Sequence, residues 1–132
     1  MSLWIGTNDD ESSFIPVGDP GIDLDDDPYY WFLYPHFEDI FRQTEQLIDL
    51  YGDAAFSGRD LIVLRNKIQH VRADSEQLDE KVQVTTESKI WIDGRFTYPE
   101  LEKSKLLGLL DSFLETINFA IKNNYRVVCF GD

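Results

Sequence analysis

The first candidate for chemistry is an aspartate-rich stretch at 19–27. Its carboxylates belong to Asp19, Asp23, Asp25, Asp26 and Asp27. A calcium-binding EF-hand loop requires a glycine at its sixth position and a bidentate glutamate at its last. Counting from Asp23 puts Pro28 at the glycine position and Tyr34 at the glutamate position, and counting from Asp19 fails in the same way. The sequence therefore predicts no metal site, and a solvated acidic loop or a protein-binding patch is the favoured interpretation.

The residue types that catalyse reactions are sparse and isolated. His36 and His70 are the only histidines, and neither belongs to a metal-ligand or nucleophile motif. The single cysteine, Cys129, lies in the apolar run 127–130, which is typical of a buried thiol. We predict no catalytic residue and no cofactor. The alternative is a small enzyme or ligand-binding domain that uses His36 or His70 with nearby carboxylates in a pocket between helices and sheet.

Charge is the strongest compositional feature. The 132 residues include 25 acidic and 12 basic side chains, giving a formal charge of −13. Residues 1–28 contain eight carboxylates and no Lys or Arg, so they carry −8 of that total. This balance argues against binding to nucleic acids or anionic membranes, which requires clustered basic residues. It favours a basic protein as partner, because complementary potentials speed encounter.

No targeting or membrane signal is visible. The N-terminus lacks the basic and apolar regions of a secretory signal, and no apolar run approaches the roughly 18 residues of a spanning helix. One cysteine cannot form an intramolecular disulfide. We therefore expect a cytoplasmic protein.

Five aromatic residues fall within the six positions 29–34. The run fits either a helical turn or strand fixed in the core, or a partly exposed aromatic platform. Tyr and Trp are enriched in protein interfaces. If the platform is exposed, Tyr29, Tyr30 and Trp31 are its candidate anchors.

The elements that position these residues follow from apolar spacing. Phe37, Ile40, Phe41, Thr44, Leu47, Ile48 and Tyr51 recur at helical intervals and predict a first helix over 35–51. A second helix begins after Ser57 and fades around Asp74–Gln77, with an apolar stripe formed by Leu61, Leu64, Ile68 and Val71. A third, leucine-rich helix of about 20 residues starts near Thr97–Glu100 and ends at Asn123–Asn124.

The strands are predicted from alternation and turn signals. The N-terminal runs 3–5 and 14–17 suit two extended strips, while no regular element is expected over 18–28. Residues 81–86 alternate, and Asp93-Gly94 between two β-rich runs predicts a hairpin. The apolar run 126–130 predicts a buried strand. Together these elements predict a single α+β domain, 1–132, with about three helices on a mixed or antiparallel sheet. Residues 1–28 form its acidic N-terminal segment and 29–132 its helix and sheet core.

Two stretches carry a resemblance beyond size and charge. One is Gly52–Leu61, which leads into the second helix, and the other is the ending of long leucine-rich helix, Val127–Phe130 strand and Gly131-Asp132. In these features the chain resembles small acidic bacterial immunity-type proteins, which bind and block a toxin. The resemblance implies stoichiometric occlusion of a basic active site on an effector such as a nuclease.

In that interpretation the aspartates supply attraction and the aromatics supply anchoring. The predicted partner-binding residues are Asp23, Asp25, Asp26, Asp27, Tyr29, Tyr30 and Trp31. A third possibility is an oligomeric structural protein with its aromatics buried between copies, since the sequence leaves the oligomeric state open.

Overall fold

The computed structural model describes residues 3–8, 18–23, 27–49, 51–83, 90–92, 95–97 and 100–131. The elements in chain order are β1 (Leu3–Asn8), β2 (Gly18–Asp23), α1 (Asp27–Thr44), β3 (Asp53–Phe56), α2 (Gly58–Ser75), β4 (Lys81–Gln83), β5 (Ile90–Ile92), β6 (Arg95–Thr97), β7 (Glu100–Glu102), α3 (Lys103–Asn123) and β8 (Arg126–Gly131). The predicted α+β class, with three helices and an antiparallel sheet, is confirmed.

The main sheet has four strands in the order β2-β1-β8-β3, and each neighbouring pair is antiparallel. One face of this sheet contributes Leu3, Ile5, Val127 and Cys129 to the hydrophobic core, which is shared with all three helices. The predicted buried strand at the C-terminus is therefore confirmed as β8. β1 shows that the acidic N-terminal segment also supplies core residues.

Among the described strands, β2 and β3 form the two edges of the main sheet. On β3 the backbone N–H of Ala55 donates to Oε1 of Gln46 at 3.0 Å. β2 corrects a prediction, because 18–28 was expected to have no regular structure. A proline inside a strand is accommodated at a sheet edge, where no N–H is required on the outer side, and Pro20 occupies such a strand.

α1 begins eight residues before the predicted start and ends seven before the predicted end. The buried side of α1 extends toward the N-terminus through Tyr30, Leu33 and Phe37. The free energy gained by burying these side chains offsets the loss of the backbone hydrogen bond that Pro35 cannot make. The helix ends because Glu45 adopts a left-handed conformation with φ of 63°. Its N–H still donates to the Phe41 carbonyl at 2.8 Å.

α2 matches its prediction at both ends, and all four residues of its predicted stripe are buried. Ser57 occupies the N-cap position but makes no side-chain capping hydrogen bond. α3 starts later than predicted, at Lys103. Residues 100–102 instead form β7, where the buried Leu101 lies opposite Val82 of β4. The predicted end at Asn124 is confirmed by its left-handed φ of 58°.

The predicted hairpin is present as β5 paired with β6, with Ile92 opposite Arg95. Its turn residues Asp93 and Gly94, the predicted strip at 14–17 and the second half of the predicted strand at 81–86 lie outside the described residues. None of the described helices combines the length and apolar character needed to cross a membrane.

Candidate functional site

The predicted acidic determinants lead from the edge of the sheet into α1. Asp23 is the last residue of β2 and lies opposite Trp4 of β1. Asp27 is the first residue of α1. Asp25 and Asp26 lie outside the described residues. The described part of this segment therefore connects an edge strand to the aromatic start of α1.

Tyr29 and Tyr30 lie in the core, with exposed fractions of 4% and 1%. The Tyr29 hydroxyl accepts a hydrogen bond from the backbone N–H of Glu102 at 3.0 Å, and Lys105 Nζ lies 4.9 Å from the Tyr29 ring centre. The Tyr30 hydroxyl donates to the Ile48 carbonyl at 2.9 Å. These two tyrosines join α1 to its surroundings and present little surface to a partner, in contrast to the predicted anchoring role.

Trp31 is the predicted anchor that retains accessible surface, since it is only partly buried. Its ring lies 5.3 Å from that of Tyr34, which is also partly buried. Phe41 lies on the same side of the helix, about two turns after Tyr34, and is 44% exposed. Glu38, between them, is exposed. The spacing of these four residues places them on one side of the helix. We call this side the outward face of α1; it consists of Trp31, Tyr34, Glu38 and Phe41.

The apolar repeat that predicted the first helix included Phe41 and Tyr51, and the structure shows that both side chains are exposed. Phe41 lies on the outward face, and Tyr51, beyond the end of α1, is 69% exposed. The exposure of Phe41 could have been predicted from helical spacing. The buried stripe of α1 is formed by Tyr30, Leu33, Phe37 and Ile40, and Phe41 lies beside this stripe on the helix.

The structure brings the two histidines near each other, where α1 packs on α2. His36 is partly buried, and its pKa is lowered because burial and the ammonium of Lys67 disfavour its protonated form. Asp39 accepts hydrogen bonds from Lys67 at 3.0 Å and from Arg42 at 2.5 Å, and the hydrogen bond from Lys67 lowers its pKa. His70 lies 3.3 Å from Asp74 on the surface of α2.

A cavity of about 60 Å³ adjoins these groups and is lined in part by Phe32, His36 and Asp74. A second cavity of about 150 Å³ lies where the start of α2 meets the end of α3. Small-molecule sites occupy roughly 300–1,000 Å³. Neither cavity is large enough for such a ligand, and neither lies between the helices and the sheet, where the enzyme alternative places its pocket.

Cys129 is completely buried, and desolvation raises its pKa well above the usual value. A thiol in this state is not a nucleophile at neutral pH. Within the described ranges, no group of three or more His, Cys, Asp or Glu side chains is arranged to hold a metal ion.

Comparison of the chain with protein-family models, with curated proteins and with solved structures gave no match. A function must therefore be assigned from the residues of this chain.

Proposed function

We propose that this chain is a protein-binding, immunity-like inhibitor that neutralises a basic partner, such as a toxin effector, by occluding its positive surface. The observation that carries the proposal is the outward face of α1, where partly exposed aromatics follow directly after the acidic N-terminal segment. Aromatic anchors beside a field of one sign are the two components that tight, rapid protein recognition uses.

The acidic segment acts before contact. It carries −8 of the formal charge of −13, and Asp27 places part of that charge at the start of α1. A field of this sign attracts a basic surface and disfavours acidic competitors, so its main effect is on the association rate.

The outward face of α1 acts after contact. Trp31 and Tyr34 are held by the core through ring contacts with Tyr30, at 5.1 and 5.9 Å between ring centres. Little side-chain freedom is lost when such residues bind, because the fold already orders them. Phe41 adds exposed apolar area about two helical turns after Tyr34.

Kinetics with the captured partner test the acidic contribution. The protein is used to capture its partner from a lysate of its own organism, and a variant with Asn at Asp23, Asp25, Asp26 and Asp27 is then compared with wild type. We expect the association rate at low salt to fall by roughly tenfold or more, and its salt dependence to flatten.

The matched control removes four charges elsewhere. It replaces the exposed residues Asp79, Glu80, Glu100 and Glu115 by their amides. An equal loss of association rate in both variants would attribute steering to net charge alone and contradict the assigned role of 23–27.

Phe41→Ala tests the aromatic contribution without disturbing the core, because Phe41 is 44% exposed. We expect dissociation from the same partner to be faster by roughly tenfold. Tyr51→Ala removes an aromatic side chain of 69% exposure outside this face and should leave dissociation unchanged. Equal effects of the two variants would refute the contact at α1.

A further inference from the structure

The C-terminal half of the outward face of α1 places a carboxylate beside an aromatic ring. Glu38 and Phe41 are three residues apart in the helix, and side chains at this spacing lie on neighbouring turns with their Cβ atoms roughly 5–6 Å apart. Long side chains in a helix lean back toward its N-terminus. The Phe41 ring therefore leans toward the turn that carries Glu38.

Both side chains are open to solvent. Glu38 is exposed, and 44% of Phe41 is accessible. Within the part of the chain that the structure describes, Glu38 takes part in no ion pair and Phe41 in no ring contact. Arg42, four residues after Glu38, donates instead to Asp39 at 2.5 Å. The Glu38 carboxylate and the Phe41 ring are thus available to a partner.

A second carboxylate follows on the next turn. The backbone N–H of Glu45 donates to the Phe41 carbonyl at 2.8 Å, and Glu45 is exposed. Its positive φ lies in the left-handed region, where glycine is the usual residue at the end of a helix. The turns before and after Phe41 therefore each carry a carboxylate, which makes this end of the outward face attractive to a cation.

We propose that Glu38 and Phe41 bind an arginine side chain of the basic partner, with its guanidinium paired with the Glu38 carboxylate and stacked against the Phe41 ring. A guanidinium is planar, so its edge donates to a carboxylate while its face covers a ring. The ammonium of lysine has no flat face to stack. This inference rests on the proposed function for the basic character of the partner, and it assigns the kind of side chain that the outward face of α1 receives.

Titration with two short peptides tests the selectivity for arginine. One peptide alternates arginine with glycine, and the other carries lysine in place of arginine. Backbone amide signals of the ¹⁵N-labelled protein are followed by NMR. We expect saturable shifts centred on residues 38–45 with the arginine peptide, and an affinity roughly two- to fivefold weaker with the lysine peptide, the range of one exposed cation–π contact. Equal affinities, or shifts confined to the acidic segment 1–28, would overturn the inference.

Phe41→Leu tests the stacking contact, because it retains an apolar side chain and removes the ring. The preference for the arginine peptide over the lysine peptide should disappear in this variant. A preference that persists without the ring would contradict the stacking on Phe41.

Glu38→Gln tests the ion pair. We expect it to weaken binding of the arginine peptide by roughly two- to fivefold, the range of one exposed ion pair. Glu115→Gln is the matched control, since it removes the same charge from an exposed glutamate on α3 and should leave the affinity unchanged. An equal effect of the two variants would attribute binding to net charge and overturn the contact at Glu38.

Failure of this inference is distinguishable from failure of the proposed function. A captured partner that associates more slowly with the variant at 23–27, without an arginine-selective shift at 38–45, would retain the inhibitor and overturn the arginine contact. An arginine-selective shift at 38–45 that Phe41→Leu abolishes would support the contact, whatever association rate the variant at 23–27 shows.

Discussion

Gly6 shows how a single missing side chain shapes a surface. Its Cα hydrogen faces the Trp4 indole, and three ring carbons lie within 2.4 Å of the position that a Cβ would take. Replacement of Gly6 must therefore move the ring. The strand position is fixed by pairing with Val128, so the displacement falls on Trp4.

Gly6→Ala should lower the free energy of unfolding by about 1–3 kcal/mol, the usual cost of overpacking. It should also change the near-ultraviolet circular dichroism, because the environment of Trp4 changes. Gly108→Ala is the control: Gly108 is exposed within α3 with no atom within 4 Å of a built Cβ, and alanine there should stabilise the protein by about 0.5–1 kcal/mol. Urea denaturation measures both, and a neutral Gly6→Ala would contradict the packing described for Trp4.

The burial of a single residue was predicted best where its neighbours in the sequence are all of one character. Cys129 sits in an uninterrupted apolar run, and its burial follows directly from that run. Tyr29 and Tyr30 could not be separated from Trp31 by residue type, because all three have an apolar ring with a polar end. Their burial depends on partners far along the chain, Glu102 and Ile48, which local sequence does not reveal.

At the scale of elements, His36 lies where α1 packs against α2, and this environment favours its uncharged form. From α2, Lys67, His70 and Asp74 act on its imidazole electrostatically, and from α1 Asp39 does so. Burial and Lys67 prevail, so the folded protein holds the pKa of His36 below its usual 6.5. Protonation is consequently easier in the unfolded chain.

The expected consequence is a loss of stability as the pH falls below about 6.5, the ordinary histidine pKa. Full stability from this group is present above that pH, and the loss continues until the lower pKa of the folded state is passed. His36→Gln should remove this part of the pH dependence, whereas His70→Gln, at an exposed position, should retain it. Urea midpoints between about pH 7.5 and 5 measure the effect above the range in which carboxylates titrate. Parallel curves for wild type and His36→Gln would exclude His36 as the source.

Element type was more predictable than element boundaries. α2, with a single apolar stripe between clear limits, was predicted at both ends. The predicted bounds of α1 were too far toward the C-terminus, because Pro35 was taken as the start of the helix. The burial of Tyr30 and Leu33 stabilises the helix on the N-terminal side of the proline. β2 was missed because its pairing with β1 is a tertiary contact, and Gly18–Asp23 has no strand pattern of its own.

For the whole molecule, the uneven charge predicts sensitivity to ionic strength. Repulsion within a chain of net charge −13 opposes compaction, and salt screens it. We expect the melting temperature to rise between about 10 and 300 mM NaCl, where the Debye length shortens from roughly 30 Å to less than 10 Å.

The variant with Asn at Asp23, Asp25, Asp26 and Asp27 should show a smaller rise, since it removes four of the repelling charges. A melting temperature that falls with salt would mean that surface ion pairs dominate instead. Examples are Lys67 with Asp39 and Arg72 with Asp111.

Composition anticipated the acidic character and the aromatic content of the candidate surfaces, but not their placement. The outward face of α1 requires knowing which side of the helix packs on the core. That side depends on contacts with distant segments, which a single sequence does not specify. The predicted inhibitory role stays a prediction until a partner is tested.

The contact between Gln46 and Ala55 has a consequence for behaviour at high concentration. An exposed strand edge can accept a strand from a neighbouring molecule and so begin aggregation. On β3 the Ala55 N–H is already engaged by the Gln46 amide oxygen, and on β2 Pro20 has no N–H to offer. Each edge of the main sheet, as far as the described strands define it, thus has a feature that discourages pairing with a strand of another molecule, which disfavours aggregation through this sheet.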